Sequence, residues 1–387
     1  MDFDLFHPEF LQNPYPFYQQ LRSRDPVHRS ALGVWLITRQ PDVYNLLRSP
    51  ALSSGFSRYS AHRKAIGGPI SDLTALLLPL LDPPEHTRLR QLLSPMFRES
   101  VLSSARQWLP ALARDMVQQL PERFELMADF AGQFPLRVIA RLLGIPEADL
   151  PMIRPWAQGF FHLFAASRSA RDQATLHKSV VEFQQYLEPL LNQRSQSPQE
   201  DLLSEIAALP ELTRDERCAA CVLLFSNGEE TLGHLIGNAT LALIRAQNWR
   251  TPQEWKSAIE ELIRFDTPSQ IVGRTARESI EIDGRVIAEG EPVYLMLGCA
   301  NRDPEVFEQP ESLWLQRQSN PHLSFGYGTH ACLGSYLARL ELRAALEALM
   351  ERFPRLQLDG EPRWKGHPFR RGLVQLPLTN RAGQPQR

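Results

Sequence analysis

Phe325-Gly326-Tyr327-Gly328-Thr329-His330-Ala331-Cys332-Leu333-Gly334 is the stretch on which the reading of this 387-residue chain turns. It leads into a run, residues 335–350, whose apolar side chains recur at helical spacing. Two glycines ahead of the cysteine allow positive φ and a tight turn, so that several N–H groups can converge on one sulfur and stabilise a thiolate. A helix starting at Cys332 adds the positive end of its dipole, which favours the ionised ligand. Gly334 then permits close approach of that helix to a flat cofactor. A plain glycine turn around a buried cysteine needs neither the phenylalanine nor the histidine, so a ligand loop accounts for more of these residues.

The ten residues resemble the cysteine loop of the cytochromes P-450, F-G-x-G-x-H-x-C-x-G, at every fixed position. The resemblance implies that Cys332 is the proximal ligand of haem b and pushes electron density that favours O–O cleavage. It further implies that Phe325 shields the sulfur from water, that His330 bonds a haem propionate, and that Gly326 and Gly334 shape the cofactor seat. The implied fold is mainly α with small β-sheets, a triangular prism-like single domain over residues 1–387. Haem lies in it between an oxygen-site helix and the cysteine-loop helix.

Three further constellations extend the likeness over nearly the whole chain. Glu261-Leu262-Ile263-Arg264 sets a carboxylate and a guanidinium three apart on a helix, where they can pair. Alone this reads as a surface bridge; its place before Phe265-Asp266-Thr267-Pro268 and Arg274 matches the family's structural E-x-x-R, with Arg317 as the expected third partner. Asp82-Pro83-Pro84-Glu85-His86-Thr87-Arg88-Leu89-Arg90 sets His86 and Arg90 one turn apart, able to clamp an anion together. In the family this sequence supplies propionate ligands, so His86, Arg90, Arg274 and His330 offer matched donors to a buried dianion. Phe225-Ser226-Asn227-Gly228-Glu229-Glu230-Thr231 resembles the oxygen-activating A-G-x-[D/E]-T. There Gly228 is expected to weaken the helix and make room for dioxygen, Thr231 to hydrogen-bond the distal oxygen, and Glu230 to relay protons. Asn227 departs from the usual small alanine and adds an amide at this site.

Composition agrees with a folded globular enzyme: 43% apolar, 22% charged and a net charge of −2, with no basic excess to grip nucleic acid. The start, Met1-Asp2-Phe3-Asp4-Leu5-Phe6, lacks a signal-like run and no stretch reaches membrane-spanning length, so the chain reads as cytoplasmic. Four cysteines are too few for a disulfide framework. Cys218 and Cys221 have C-x-x-C spacing but no second half-site and sit in an apolar run, so they read as core. The 31 prolines fall at helix starts and corners, which implies many moderate helices. Helical periodicity marks residues 100–120, 136–144, 173–194, 213–247, 253–265 and 333–352. Strand patterns mark residues 34–38, 271–275, 279–287 and 292–297, with Asp283-Gly284 as a hairpin turn.

The expected activity is insertion of one atom of O2 into a C–H bond or alkene of an apolar substrate, of the kind met by polyketide and fatty-acyl hydroxylases. The chain has no G-x-G-x-x-G after a strand and no cysteine quartet, so electrons must come from outside. A ferredoxin with its reductase is the expected donor, docking near Arg98, Arg339 and Arg343, and the enzyme is expected to be a monomer. A peroxide-driven peroxygenase and a non-catalytic haem sensor are the rival readings; the intact Glu230 and Thr231 pair argues against both. Residues 51–80 and 155–180, Ser269 to Gly273 with Leu373, including Trp156, read as the apolar substrate wall, and the stripe Phe160, Phe161 and Phe164 reads equally as pocket lining or as core packing.

Overall fold

The computed structural model describes residues 4–55, 68–98, 102–160 and 169–380. It is mainly helical, and its described strands form four small sheets of five, three, two and two strands. The chain divides into two compact units, residues 1–53, 104–132 and 231–387 in the first and 54–103 with 133–230 in the second. The helix Arg214–Arg245 contributes residues to each.

The first unit is built on a five-stranded sheet in the order Val27–Arg29, Trp35–Ile37, Pro292–Leu295, Val272–Ala276, Leu52–Ser53. Trp35 pairs in parallel with Val293, and Val272 antiparallel with Leu295. Alternation decides which side each residue serves. Trp35, Ile37, Val293 and Leu295 pack into one apolar cluster with Val43, Leu46 and Leu47, while Leu36, Tyr294 and Met296 pack into another with Phe10, Tyr15 and Tyr18. Both faces are thus covered. The hairpin Ile280–Ile282 and Arg285–Ile287 turns at Asp283 and Gly284, whose φ values of 52° and 70° are those of a type I′ turn.

The helix Ser335–Arg352 packs beside Ala105–Gln118. Buried Ala105, Leu109, Ala113, Met116 and Val117 recur at three- and four-residue steps and form the latter's apolar stripe. Along Ser335–Arg352 burial is concentrated beyond Leu340, so the end nearest Cys332 stays more open.

In the second unit Ala170–Gln196 starts with a capping box between Ser169 and Asp172. Its buried Phe183 meets Trp156 at 5.8 Å and Phe225 at 5.3 Å between ring centroids. Phe134–Leu143 ends at Gly144 in the left-handed region, where the Ile145 N–H reaches the Ala140 carbonyl. The Arg194 and Asp201 ion pair closes over that corner, with Arg194 also donating to the Gly144 carbonyl at 3.1 Å.

Candidate functional site

The cysteine loop is a backbone device. Gly326 and Gly328 have φ of 65° and 72°, and a Cβ on Gly328 would also come within 3.1 Å of the Leu47 carbonyl oxygen, so glycine is required there twice over. The turn is closed by N–H donation from Gly326 to Leu323, Ala331 to Gly328 and Cys332 to Phe325, at 2.8, 3.1 and 2.9 Å. The helix begins at Ser335, three residues beyond Cys332, so the cysteine precedes the helix rather than opening it. Cys332 is exposed, whereas Cys218, Cys221 and Cys299 are buried. Burial pushes the Cys218 thiol up to about 11 and the Cys299 thiol to about 12, which leaves both inert. A Cβ on Gly334 would meet nothing within 4 Å, so there is space beside the sulfur's segment.

Behind the loop lies a buried charge cluster. Arg264 grips Glu261 with two hydrogen bonds of 2.7 and 2.8 Å and donates to the carbonyls of Asn301, Pro310 and Ser312. Glu261 also accepts from the Trp314 N–H, Asn320 and Arg317, the last at 2.9 Å. Neither Glu261 nor Arg264 reaches the surface, so this pair is internal architecture and Arg317 is its third member. Burial pushes the Glu261 carboxyl upward, but these donors outweigh it and hold it below its ordinary value.

Of the expected propionate donors, Arg274 stands on strand Val272–Ala276 and His330 in the turn Gly328–His330, both in the first unit. His86 and Arg90 stand on Glu85–Leu93 in the second, His86 buried and Arg90 half-buried. Arg88, between them, is paired instead with Glu216. The helix start is tied down by the Asp82 carboxylate, which accepts from the N–H groups of Ser54 and Gly55.

Within Arg214–Arg245 the exposure pattern is asymmetric. Phe225 and Glu229 are buried, Asn227 is exposed, and Leu224, Gly228, Glu230 and Thr231 are half-buried. Leu224, Asn227, Gly228 and Thr231 follow helical spacing and form one face. The helix is unbroken at Gly228, and a Cβ there would lie 3.2 Å from Cγ1 of Ile139. The glycine therefore admits helix packing; the local weakening expected of it does not occur. Sequence reasoning passed over Glu229, whose carboxyl is pushed up to about 7 by burial, with Arg154 opposing and Glu230 adding to the rise. The expected docking arginines differ in state: Arg98 is exposed, while Arg343 is paired with Glu347 and Arg339 with Glu260. Arg48, which sequence reasoning missed, is exposed and lies over the rings of Tyr44 and Tyr327. Of the expected substrate wall, Trp156 is buried and donates to Glu182; residues 56–67, Phe161 and Phe164 and the side chain of Phe160 lie outside the described residues.

A family model described as cytochrome P450 matches residues 255–381, which include the charge cluster and the cysteine loop. The biotin biosynthesis cytochrome P450 of Bacillus subtilis (strain 168) is 33% identical, over 96% of this chain and 97% of its own length. The chain is a cytochrome P450. The polyketide biosynthesis cytochrome P450 PksS of the same organism is 31% identical over 97% of this chain and 98% of its own. Among solved structures, CalO2 superposes with a TM-score of 0.93 at 29% identity, covering 99% of this chain and all of its own. The P450BioI structure in complex with an acyl carrier protein ligated to hexadec-9Z-enoic acid gives 0.89 at 32% identity, over 96% of this chain and 100% of its own. Cytochromes P450 carry haem b, and this P450 is a monooxygenase by kinship with relatives so named. The residues present suit that cofactor: one exposed thiol in a glycine turn, with open space at Gly334. Among the described residues no helix is long and apolar enough to cross a membrane.

Proposed function

We propose that this P450 is one domain over residues 1–387 that binds haem b through Cys332, with His86, Arg90, Arg274 and His330 on the propionates. Phe325, Gly326 and Gly334 shape the proximal seat. Its reaction is hydroxylation or epoxidation of an apolar acyl or polyketide-like chain, free or tethered to a carrier protein. The observation that carries the proposal is the exposure of Cys332 in its glycine turn while the other cysteines are buried. Relatives named for biotin and polyketide biosynthesis, and a solved relative holding an acyl carrier protein, support the substrate class.

Haem b, when bound, supplies the one-electron steps and the cleavage of O2. The chain's own work is to hold a carboxyl at Glu230 and a hydroxyl at Thr231 for proton delivery, and to present an apolar wall that excludes water. Electrons come from a ferredoxin and its reductase. Arg48, with Tyr44 and Tyr327 beneath its guanidinium, is an exposed cationic and aromatic contact for an acidic donor surface. The same proposal makes the enzyme a cytoplasmic monomer.

The test is the absorption spectrum of the dithionite-reduced, carbon monoxide-bound protein. A Soret band far to the red is expected for wild type and absent for Cys332→Ser; a band at the position of histidine-ligated haem in wild type overturns the ligand assignment. Arg48→Glu should slow reduction by ferredoxin with the spectrum unchanged, and an unaltered rate removes Arg48 from the docking surface.

A further inference from the structure

Beside the Glu261 cluster, and separate from it, a second set of polar side chains meets the cysteine loop. Glu260 accepts two hydrogen bonds from Arg339, at Oε1 from Nε (2.5 Å) and at Oε2 from Nη2 (2.8 Å). Its Oε2 also meets His322 Nε2 at 3.0 Å. The Ser324 N–H points at His322 Nδ1 at 3.3 Å, which makes Nδ1 the acceptor and leaves Nε2–H to donate to Glu260. The remaining edge of the Arg339 guanidinium, Nη1, donates to the Ser335 carbonyl at 2.9 Å. Hydrogen bonds along all of its edges fix the plane of the group. Its flat face is left to the Phe325 ring, whose centroid lies 4.6 Å from Cζ, with the His322 ring 6.0 Å from the same phenyl.

The chemistry explains why arginine stands here. Only a planar fork can bond a carboxylate and a carbonyl in its own plane and still offer a cationic face to an aromatic ring. Phe325 precedes Cys332 and accepts its N–H; Ser335 follows it and opens the helix. One guanidinium therefore grips the segment that carries the cysteine on both sides. Burial pushes the Glu260 carboxyl upward, yet hydrogen bonds from Arg339 and His322 and the charge of Arg339 prevail and hold it at about 2, so the anchor stays ionised around neutral pH.

We infer that Arg339, anchored by Glu260 and His322, is a positioning residue for Phe325, fixing the ring beside the Cys332 sulfur and so the durability of thiolate ligation. The inference rests on the haem-thiolate reading above, and it gives Arg339 a role other than partner docking. The experiment is a double-mutant cycle on the haem-loaded protein, Arg339→Gln with Phe325→Ala. It reads the lifetime of the red-shifted carbon monoxide band and the ferric/ferrous potential by dye titration, with no protein donor present. Arg339→Gln is expected to shorten that lifetime severalfold and to move the potential in the direction that Phe325→Ala moves it. In the Phe325→Ala background it should add nothing to either. Arg339→Lys, which keeps the charge but loses the fork and the flat face, should show the same signs and serves if the glutamine variant does not fold. Wild-type values in Arg339→Gln, or shifts that add to those of Phe325→Ala, overturn the inference. A wild-type protein without the red-shifted band overturns the thiolate reading itself, a different result.

Discussion

Glu341 lies inside the helix Ser335–Arg352, 3% exposed, and its Oε2 has no hydrogen-bond partner among the described residues. Burial alone raises its carboxyl well above the ordinary value, so the folded protein holds it protonated. The unfolded chain releases that proton near pH ~4.3. Above that pH the folded state binds more protons at this group than the unfolded state, and stability falls as pH rises, by at most about 1.4 kcal/mol per unit for one group. Between pH 5 and 7 the unfolded carboxyl is ionised while the buried one resists ionisation, so this group takes stability away as pH rises. Glu341→Gln keeps the shape and removes the proton. Its amide brings a constant cost of about 1–3 kcal/mol if a polar atom goes unsatisfied, but that cost does not vary with pH. Urea unfolding of wild type and Glu341→Gln at pH 5, 6 and 7 should show the variant gaining on the wild type at each step. A stability difference that stays flat over this range would refute a buried neutral carboxyl at this position.

Other perturbations separate architecture from chemistry. Arg264→Met strips Glu261 of its two strongest donors and three carbonyls of theirs, so chemical denaturation should report a loss of about 3–5 kcal/mol or no folded protein. Thr231→Ala should leave the thiolate spectrum intact and lower the product formed per electron consumed, measured as product against NADPH oxidised. Asn227→Ala, at an exposed position, should change stability by no more than about 0.5 kcal/mol while altering the spin-state titration with fatty acids, read at the Soret band.

Much of this was legible from local pattern. The helices and strands with strong periodicity lie where it put them, and Asp283-Gly284 turns the hairpin because its backbone demands φ above zero. The Glu261 and Arg264 pair was legible as spacing only. Whether such a pair faces water or the interior depends on what packs over it, here the segment holding Trp314 and Arg317, 53 and 56 positions from Glu261 in the chain. The packing of Gly228 was hidden for a related reason: a glycine in a helix signals either a local weakening or a close neighbour, and the neighbour, Ile139, is distant in sequence. Arg339 looked like surface charge because its partners, Glu260 and His322, lie on other elements. The short strand Leu52–Ser53 and the sheet formed by Arg123–Glu125, Leu356–Leu358 and Pro377–Asn380 escaped notice because two- to four-residue strands carry too little alternation to read.

The buried and half-buried carboxylates show how one type of side chain is pushed in opposite directions by its neighbours. Glu260 and Glu261 are met by guanidinium groups and held low, so they add stability above the unfolded pKa and lose it as pH falls toward their folded values. Glu229 and Glu341 are pushed up by desolvation, and they take stability away as pH rises above the unfolded pKa. The two pairs therefore contribute to stability with opposite dependence on pH. Their placement follows the demands of the fold. The low pair lies where the cysteine loop meets its supporting helix and a permanent charge can hold a geometry. Glu229 sits one residue from Glu230, on the helix that bears the acid and alcohol pair. A carboxyl pushed up to about 7 at that point releases its proton far closer to neutrality than the ionised anchors behind the loop.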